Sequence, residues 1–135
     1  MTKASIEEMT RFFEAAFKGD RGALPVITLA ESGHVIMKAP MGEQNMRPGG
    51  FISGPTQMAL ADHGAYTVIF TQLGITPMAL TSNLNIDFLR PLQGETVTVD
   101  SKMIKLGRSL AVIAVEITGD SGKISSRATV TYALP

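Results

Sequence analysis

Apolar residues recur at helical spacing near the N-terminus: Ile6, Met9, Phe12, Phe13, Ala16 and Phe17. Ser5 stands where a capping side chain belongs, and Gly19 and Gly22 are expected to end the amphipathic helix. Pro25 to Ala39 reads as extended chain broken at Glu31-Ser32-Gly33, with His34–Ala39 a strand. Pro40 to Ser53 is a loop rich in glycine and proline. It is long for a compact domain, and long ordered loops often carry function. Pro55 to Leu73 is apolar nearly all round (Met58, Ala59, Leu60, Ala61, Ala65, Val68, Ile69, Phe70), which predicts a buried helix. Ser53 supplies its cap, Pro55 fits its first turn and Gly74 stops it.

From Leu80 the period changes to two. Leu80, Ser82, Leu84, Ile86 and Phe88 alternate with Thr81, Asn83, Asn85 and Asp87. Pro91-Leu-Gln-Gly94 is a turn, Glu95–Leu106 a second strand, and Gly107-Arg108 another turn. Ser109–Thr118 is apolar on both faces and is expected to be central. Gly119-Asp-Ser-Gly122 is a hairpin loop. Lys123–Tyr132 closes the sheet with Ile124, Ser126, Ala128, Val130 and Tyr132 on one face. The pattern predicts an α+β domain: four late strands in meander, an antiparallel sheet of five or six strands and one long helix against it. One helix covers a sheet face only partly and leaves open edges, so a homo-oligomer is expected.

Composition narrows the chemistry. The chain of 135 residues has zero formal net charge, no cysteine and two histidines. One domain is expected over 1–135, with the helix at 1–22 and the core at 25–134. Disulfides, thiolate metal sites and a cysteine nucleophile are excluded, and a histidine-built metal site is not expected. The charge balance gives no pull towards nucleic acid. No apolar run suits a membrane span and the polar N-terminus is unlike a signal peptide, so a cytoplasmic protein is expected.

Asp62 is the chemically odd residue, a carboxylate in the middle of the apolar helix. Burial costs such a group several kcal/mol unless it is paired or faces a cavity. It is either a base or nucleophile in a cleft, or a structural aspartate paired with His63, Arg47 or backbone. Gly50-Phe-Ile-Ser53-Gly54-Pro55 opens the same helix, where free N–H groups and the helix dipole can bind a developing oxyanion, or where the chain is simply capped. Gly54 and Asp62 are eight residues apart, roughly 12 Å along a helix. They cannot easily serve one carbonyl carbon within one chain. Two antiparallel copies of the helix could bring one chain's Gly54 beside the other's Asp62.

The element order resembles the hotdog fold, and Gly50-Phe-Ile-Ser-Gly-Pro-Thr-Gln-Met-Ala-Leu-Ala-Asp62 resembles the signature of acyl-CoA thioesterases of the phenylacetic-acid-degradation type, kin of 4-hydroxybenzoyl-CoA thioesterases. The likeness continues through Asn83-Leu-Asn-Ile-Asp-Phe-Leu-Arg-Pro91, Lys105-Leu-Gly-Arg108 and Gly122–Tyr132. It implies thioester hydrolysis with a CoA thioester as substrate and no further cofactor. Asp62 matches the family's catalytic carboxylate, acting as base or as nucleophile, and Gly54 the glycine whose N–H polarises the carbonyl. Gly50 matches an earlier motif glycine. The family histidine falls on Ser53, its second glycine on Pro55 and its asparagine on Arg47. Ser53 is then left to cap the helix or bind the carbonyl, and Arg47 to pair with Asp62 or with a substrate anion.

The resemblance also implies a dimer with the site in trans, and a dimer of dimers. Arg90, Lys105 and Arg108 lie where the family meets CoA phosphates, or form a solvated rim. Gln57 and Tyr66 flank Asp62, and Asn83 is a polar residue in mid-strand; all three are candidates to shape the substrate site. Met41, Met46 and Met58 line an acyl pocket or fill the core. His63 points away from Asp62 as a structural residue, and His34 is expected to be exposed. Two readings compete with hydrolysis: a non-catalytic acyl-CoA or acyl-carrier binding protein, and a structural oligomer with Asp62 in an interface ion pair.

Overall fold

The computed structural model describes residues 1–17 and 24–135. Helix α1 (Ile6–Ala16) starts on a capping box: Ser5 Oγ accepts from the Glu8 N–H at 3.1 Å, and the Glu8 carboxylate accepts from the Ser5 N–H at 3.0 Å. The expected end at Gly19 and Gly22 lies outside the described residues.

Strands β1 (Val26–Glu31) and β2 (His34–Pro40) form a hairpin across Gly33, whose φ of 81° suits the turn. The loop that follows is not featureless. It holds a 3₁₀ turn at Glu43–Asn45 and a small hairpin of β3 (Met46–Arg47) and β4 (Phe51–Ile52). Helix α2 spans Gly54–Leu73, then come β5 (Leu80–Phe88), β6 (Thr96–Leu106), β7 (Leu110–Thr118) and β8 (Ile124–Ala133).

The six long strands form one antiparallel sheet in the order β1-β2-β6-β7-β8-β5. The expected four-strand meander is therefore corrected. Only β6, β7 and β8 are joined as neighbours. The segment after β5 crosses the end of the sheet to reach β6: Leu89 and Arg90 N–H groups bond the Ser125 carbonyl of the adjacent β8, and the Ile52 N–H bonds the Leu92 carbonyl. β5 is left as an edge strand. β7 is central, as its apolar faces require.

Helix α2 packs on one face of this sheet, against the buried row Val35, Met37, Val97, Val99, Ile113, Val115 and Val130. Each such side chain contributes roughly 1.5–3 kcal/mol by leaving water. Contact is closest at Gly64, where an added Cβ would lie 2.3 Å from Ser101 Oγ. Phe12 and Phe13 of α1 cover a second side of α2, with the Phe12 ring 5.4 Å from Phe70 and the Phe13 ring 4.4 Å from His63. The helix is thus not buried all round. Met58 and Leu73 are 42% and 40% exposed, and Asp62 and Tyr66 on the same side are half-buried. This open stripe runs beside the β5 edge.

The alternation expected for β5 is also corrected. A register shift between Thr81 and Asn83 inserts one extra residue. Thr81 thereby joins Leu84, Ile86 and Phe88 on the helix-facing side, opposite Tyr132, Val130, Ala128 and Ser126, and Leu80 and Ser82 do not share that face. Among the described residues no helix is long and apolar enough to cross a membrane.

Candidate functional site

Two clusters lie at different heights of α2. The first surrounds Asp62, on the open stripe. Asp62 Oδ1 accepts from Thr81 Oγ1 at 2.7 Å and from the Tyr132 hydroxyl at 2.8 Å; Tyr132 also lies 3.2 Å from the Asp62 carbonyl oxygen. No described residue donates to Oδ2. One carboxylate oxygen is held and the other is free. Neither His63 nor Arg47 is the partner of Asp62, correcting that expectation. His63 faces the rings of Phe13 and Phe17, and burial lowers its pKa to about 4, with Asp62 opposing weakly, so it is neutral.

The partners of Asp62 are positioned by the strands. Burial raises the Tyr132 hydroxyl well above the usual phenol value, so it stays a donor. Its ring stacks on Tyr66 at 5.7 Å and 13° between planes, and the Tyr66 hydroxyl donates to the Pro77 carbonyl at 2.8 Å. Among the described residues, no side-chain hydrogen bond joins Tyr66 to Asp62; its ring instead packs on Tyr132, which holds the carboxylate. Sequence reasoning missed Thr81 and Tyr132. Tyr132 was legible in part, because an inward tyrosine at a strand end needs a partner for its hydroxyl. Thr81 was not, because the bulge that turns it inward has no mark in the sequence.

The second cluster is the start of α2. Ser53 Oγ accepts from the Thr56 N–H at 3.3 Å and donates to Thr56 Oγ1 at 2.9 Å, so the hydroxyl is spent as the helix cap. The Ser53 N–H bonds the Asn45 carbonyl at 2.8 Å, and the Gln57 N–H bonds the Ser53 carbonyl at 3.2 Å. The Gly54 N–H meets no acceptor among the described residues. It is a free donor at the positive end of a twenty-residue helix.

Gly54 lines a cavity of about 410 Å³ together with Arg47, Gln57, Arg90, Phe51 and Phe88. Gln57 is buried, donates from Nε2 to the Ile52 carbonyl at 3.1 Å, and leaves Oε1 without a partner. The Arg90 guanidinium donates to the Ile124 carbonyl. Asp62 does not line this cavity, as the axial spacing demands.

Gly50, Asn83 and Arg108 are not brought to either cluster. Gly50 serves the turn of the small hairpin with φ 80°, and its N–H bonds the Arg47 carbonyl at 3.3 Å. Asn83 pairs with Thr131 on the face away from α2, where its Oδ1 accepts from Asn85 Nδ2 at 2.9 Å. Arg108 is in the β6–β7 turn, at the opposite end of the sheet from Arg90. Of the methionines, Met41 lines a second cavity of about 210 Å³ beside His63, while Met46 and Met58 are exposed. His34 is half-buried, not exposed, with Nε2 at 2.8 Å from Asp100 Oδ1.

The fold and these contacts can be set beside known proteins. A family model described as "Thioesterase superfamily" matches residues 49–126. "Putative esterase Ta0293" of Thermoplasma acidophilum is 29% identical over 107 residues, 78% of this chain and 80% of that protein. A solved structure titled "putative thioesterase" from Silicibacter sp. TM1040 superposes with TM-score 0.88 at 29% identity, covering 100% of this chain and 94% of that one. A Streptococcus mutans structure bound to acetyl CoA gives TM-score 0.74 at 22% identity, covering 87% and 94%, a likeness of fold alone. The chain belongs to the thioesterase superfamily and has its hotdog fold.

Proposed function

We propose that this member of the thioesterase superfamily hydrolyses acyl-CoA thioesters at a site shared by two copies of the chain. The observation that carries the reading is the Asp62 carboxylate, fixed at Oδ1 by Thr81 and Tyr132 and free at Oδ2 on an open helix stripe. The free Gly54 N–H is the complementary half. Since one chain holds the two roughly 12 Å apart along α2, the second half must come from another copy. The exposed stripe of α2 and the unpaired β5 edge are the surfaces through which an antiparallel second copy would close the gap. The CoA part of the substrate is the ligand that the Streptococcus mutans neighbour's acetyl CoA suggests.

In this site the thioester oxygen sits on the Gly54 N–H, where the helix dipole stabilises the charge that develops on it. Asp62 Oδ2 either takes a proton from the attacking water or itself attacks the carbonyl carbon. The C–S bond breaks, CoA leaves as thiolate and takes up a proton, and the acyl group leaves as the free acid. In the second route water then cleaves a mixed anhydride. After a single turnover in ¹⁸O water, label in Asp62 identifies the anhydride route with water attacking the Asp62 carbonyl, since the general-base route leaves Asp62 unlabelled. Ser53 serves as cap, and neither route needs it as an acid or base.

The test is a panel of acyl-CoA thioesters, aliphatic to aryl-acetyl, with wild type and Asp62→Asn. Wild-type turnover that the variant loses at least about a hundredfold, with the oligomer intact, supports the reading. Binding of thioesters with no turnover would make the protein a carrier and overturn it.

A further inference from the structure

Resting on the thioesterase reading, we propose that Arg47 selects acyl groups that carry a carboxylate, so that the preferred substrates are CoA thioesters of short dicarboxylic acids. The cavity beside Gly54 is lined by two arginines and no acidic residue. Arg90 has its guanidinium engaged by the Ile124 carbonyl. The Arg47 guanidinium has no hydrogen bond or ion pair among the described residues. It is an exposed planar fork of donors on the wall of this cavity, and a carboxylate is the group that such a fork binds with two bonds.

Register places that fork near the reacting carbonyl. Asn45 faces Ser53 through a backbone bond, Met46 pairs with Ile52, and Arg47 pairs with Phe51. Arg47 is therefore two strand positions, roughly 7 Å, from the point that faces Ser53, and Gly54 follows directly. A long side chain covers that distance. An extended pantetheine arm carries CoA's phosphates away from there: about a dozen bonds separate the sulfur from the first phosphate, roughly 15 Å at ordinary bond lengths. A carboxylate two to four carbons along the acyl chain lies roughly 3–6 Å from the thioester carbon, and the rings of Phe51 and Phe88 flank the intervening methylenes.

The experiment compares kcat/KM for glutaryl-CoA and for the neutral valeryl-CoA in wild type and Arg47→Gln. The readout is the ratio, in which every contact to CoA cancels. Wild type should favour the acidic thioester, and the ratio should fall about tenfold to a hundredfold in the variant, the worth of a charge-assisted pair. An unchanged ratio overturns the proposal, whether both substrates fall together (Arg47 acting on the carbonyl or on a CoA phosphate) or neither falls. Non-hydrolysable thioether analogues of the two substrates give the same ratio as dissociation constants. If no thioester is turned over at all, hydrolysis fails as the function, and the ratio of these constants still decides the role of Arg47.

Discussion

Tyr132→Phe removes one oxygen and keeps the ring that stacks on Tyr66. It deletes the 2.8 Å bond to Asp62 Oδ1 and leaves Thr81 as the only donor on that oxygen among the described residues. A hydrogen bond to a charged group is worth about 1.5–3 kcal/mol. With Thr81 still in place and Asp62 half-buried, the lower part of that range applies, about 1.5–2 kcal/mol, or a few degrees in Tm. The catalytic loss should fall on kcat rather than KM, about tenfold, because the carboxylate is no longer aimed while the CoA contacts are untouched. The alkaline limb of stability gives a second readout. Burial raises the Tyr132 hydroxyl above its ordinary value of 10.0 in the folded chain. The unfolded chain therefore loses this proton first, so the contribution to stability is full below about pH 10 and is lost as pH rises further. Tyr132→Phe should show a shallower alkaline decline, the rest coming in part from Tyr66, which burial also raises. Thermal melts from pH 7 to 11 and steady-state hydrolysis provide both measurements. A variant with unchanged kcat and an unchanged alkaline limb would refute the idea that Tyr132 holds Asp62.

Burial lowers the His63 pKa from 6.5 to about 4. The unfolded chain binds that proton first, so stability is full above pH 6.5 and falls towards pH 4 by up to about 3 kcal/mol; His63→Leu should flatten this acid slope in denaturant titrations, and an equal slope would contradict it. Gly64→Ala drives a methyl into Ser101 Oγ and should cost about 2 kcal/mol or more; adding Ser101→Ala should restore part of the loss in urea unfolding. Gly54→Ala places its methyl 3.4 Å from the Phe88 ring, so stability should change by less than about 0.5 kcal/mol. The same methyl intrudes where a thioester would meet the Gly54 N–H, and kcat/KM should fall about tenfold or more.

Much of this architecture was legible because it rests on local signals. Ser5 with Glu8, Ser53 with Pro55, and Gly74 mark helix ends by their own chemistry, and the strands from Glu95 onwards follow the period of two. What was hidden depends on long-range choices. The placement of β5 beside β8 follows from how the segment after Phe88 crosses the sheet, and no residue in β5 names its neighbour. The bulge at Ser82 costs nothing visible in composition, yet it sends Thr81 rather than Ser82 towards Asp62. The odd carboxylate on an apolar helix and the glycine at its start were readable. The hydroxyls that hold the carboxylate came from a strand edge and the far end of β8. Asn83, read as a site residue for its polarity, keeps the ordinary alternation with Leu84 and Ile86 and so faces away from the helix.

The claim that Gly54 of one chain works with Asp62 of another is tested most directly by mixing two dead enzymes. Asp62→Asn and Gly54→Val, each inactive alone, are co-expressed with different tags, and the mixed oligomer is purified through both. A shared site predicts thioesterase activity regained, about half the wild-type value per dimer, because one site in each pair holds an intact Gly54 and an intact Asp62. A mixed oligomer as inactive as its parents would contradict it, since sites built within single chains would all carry a lesion.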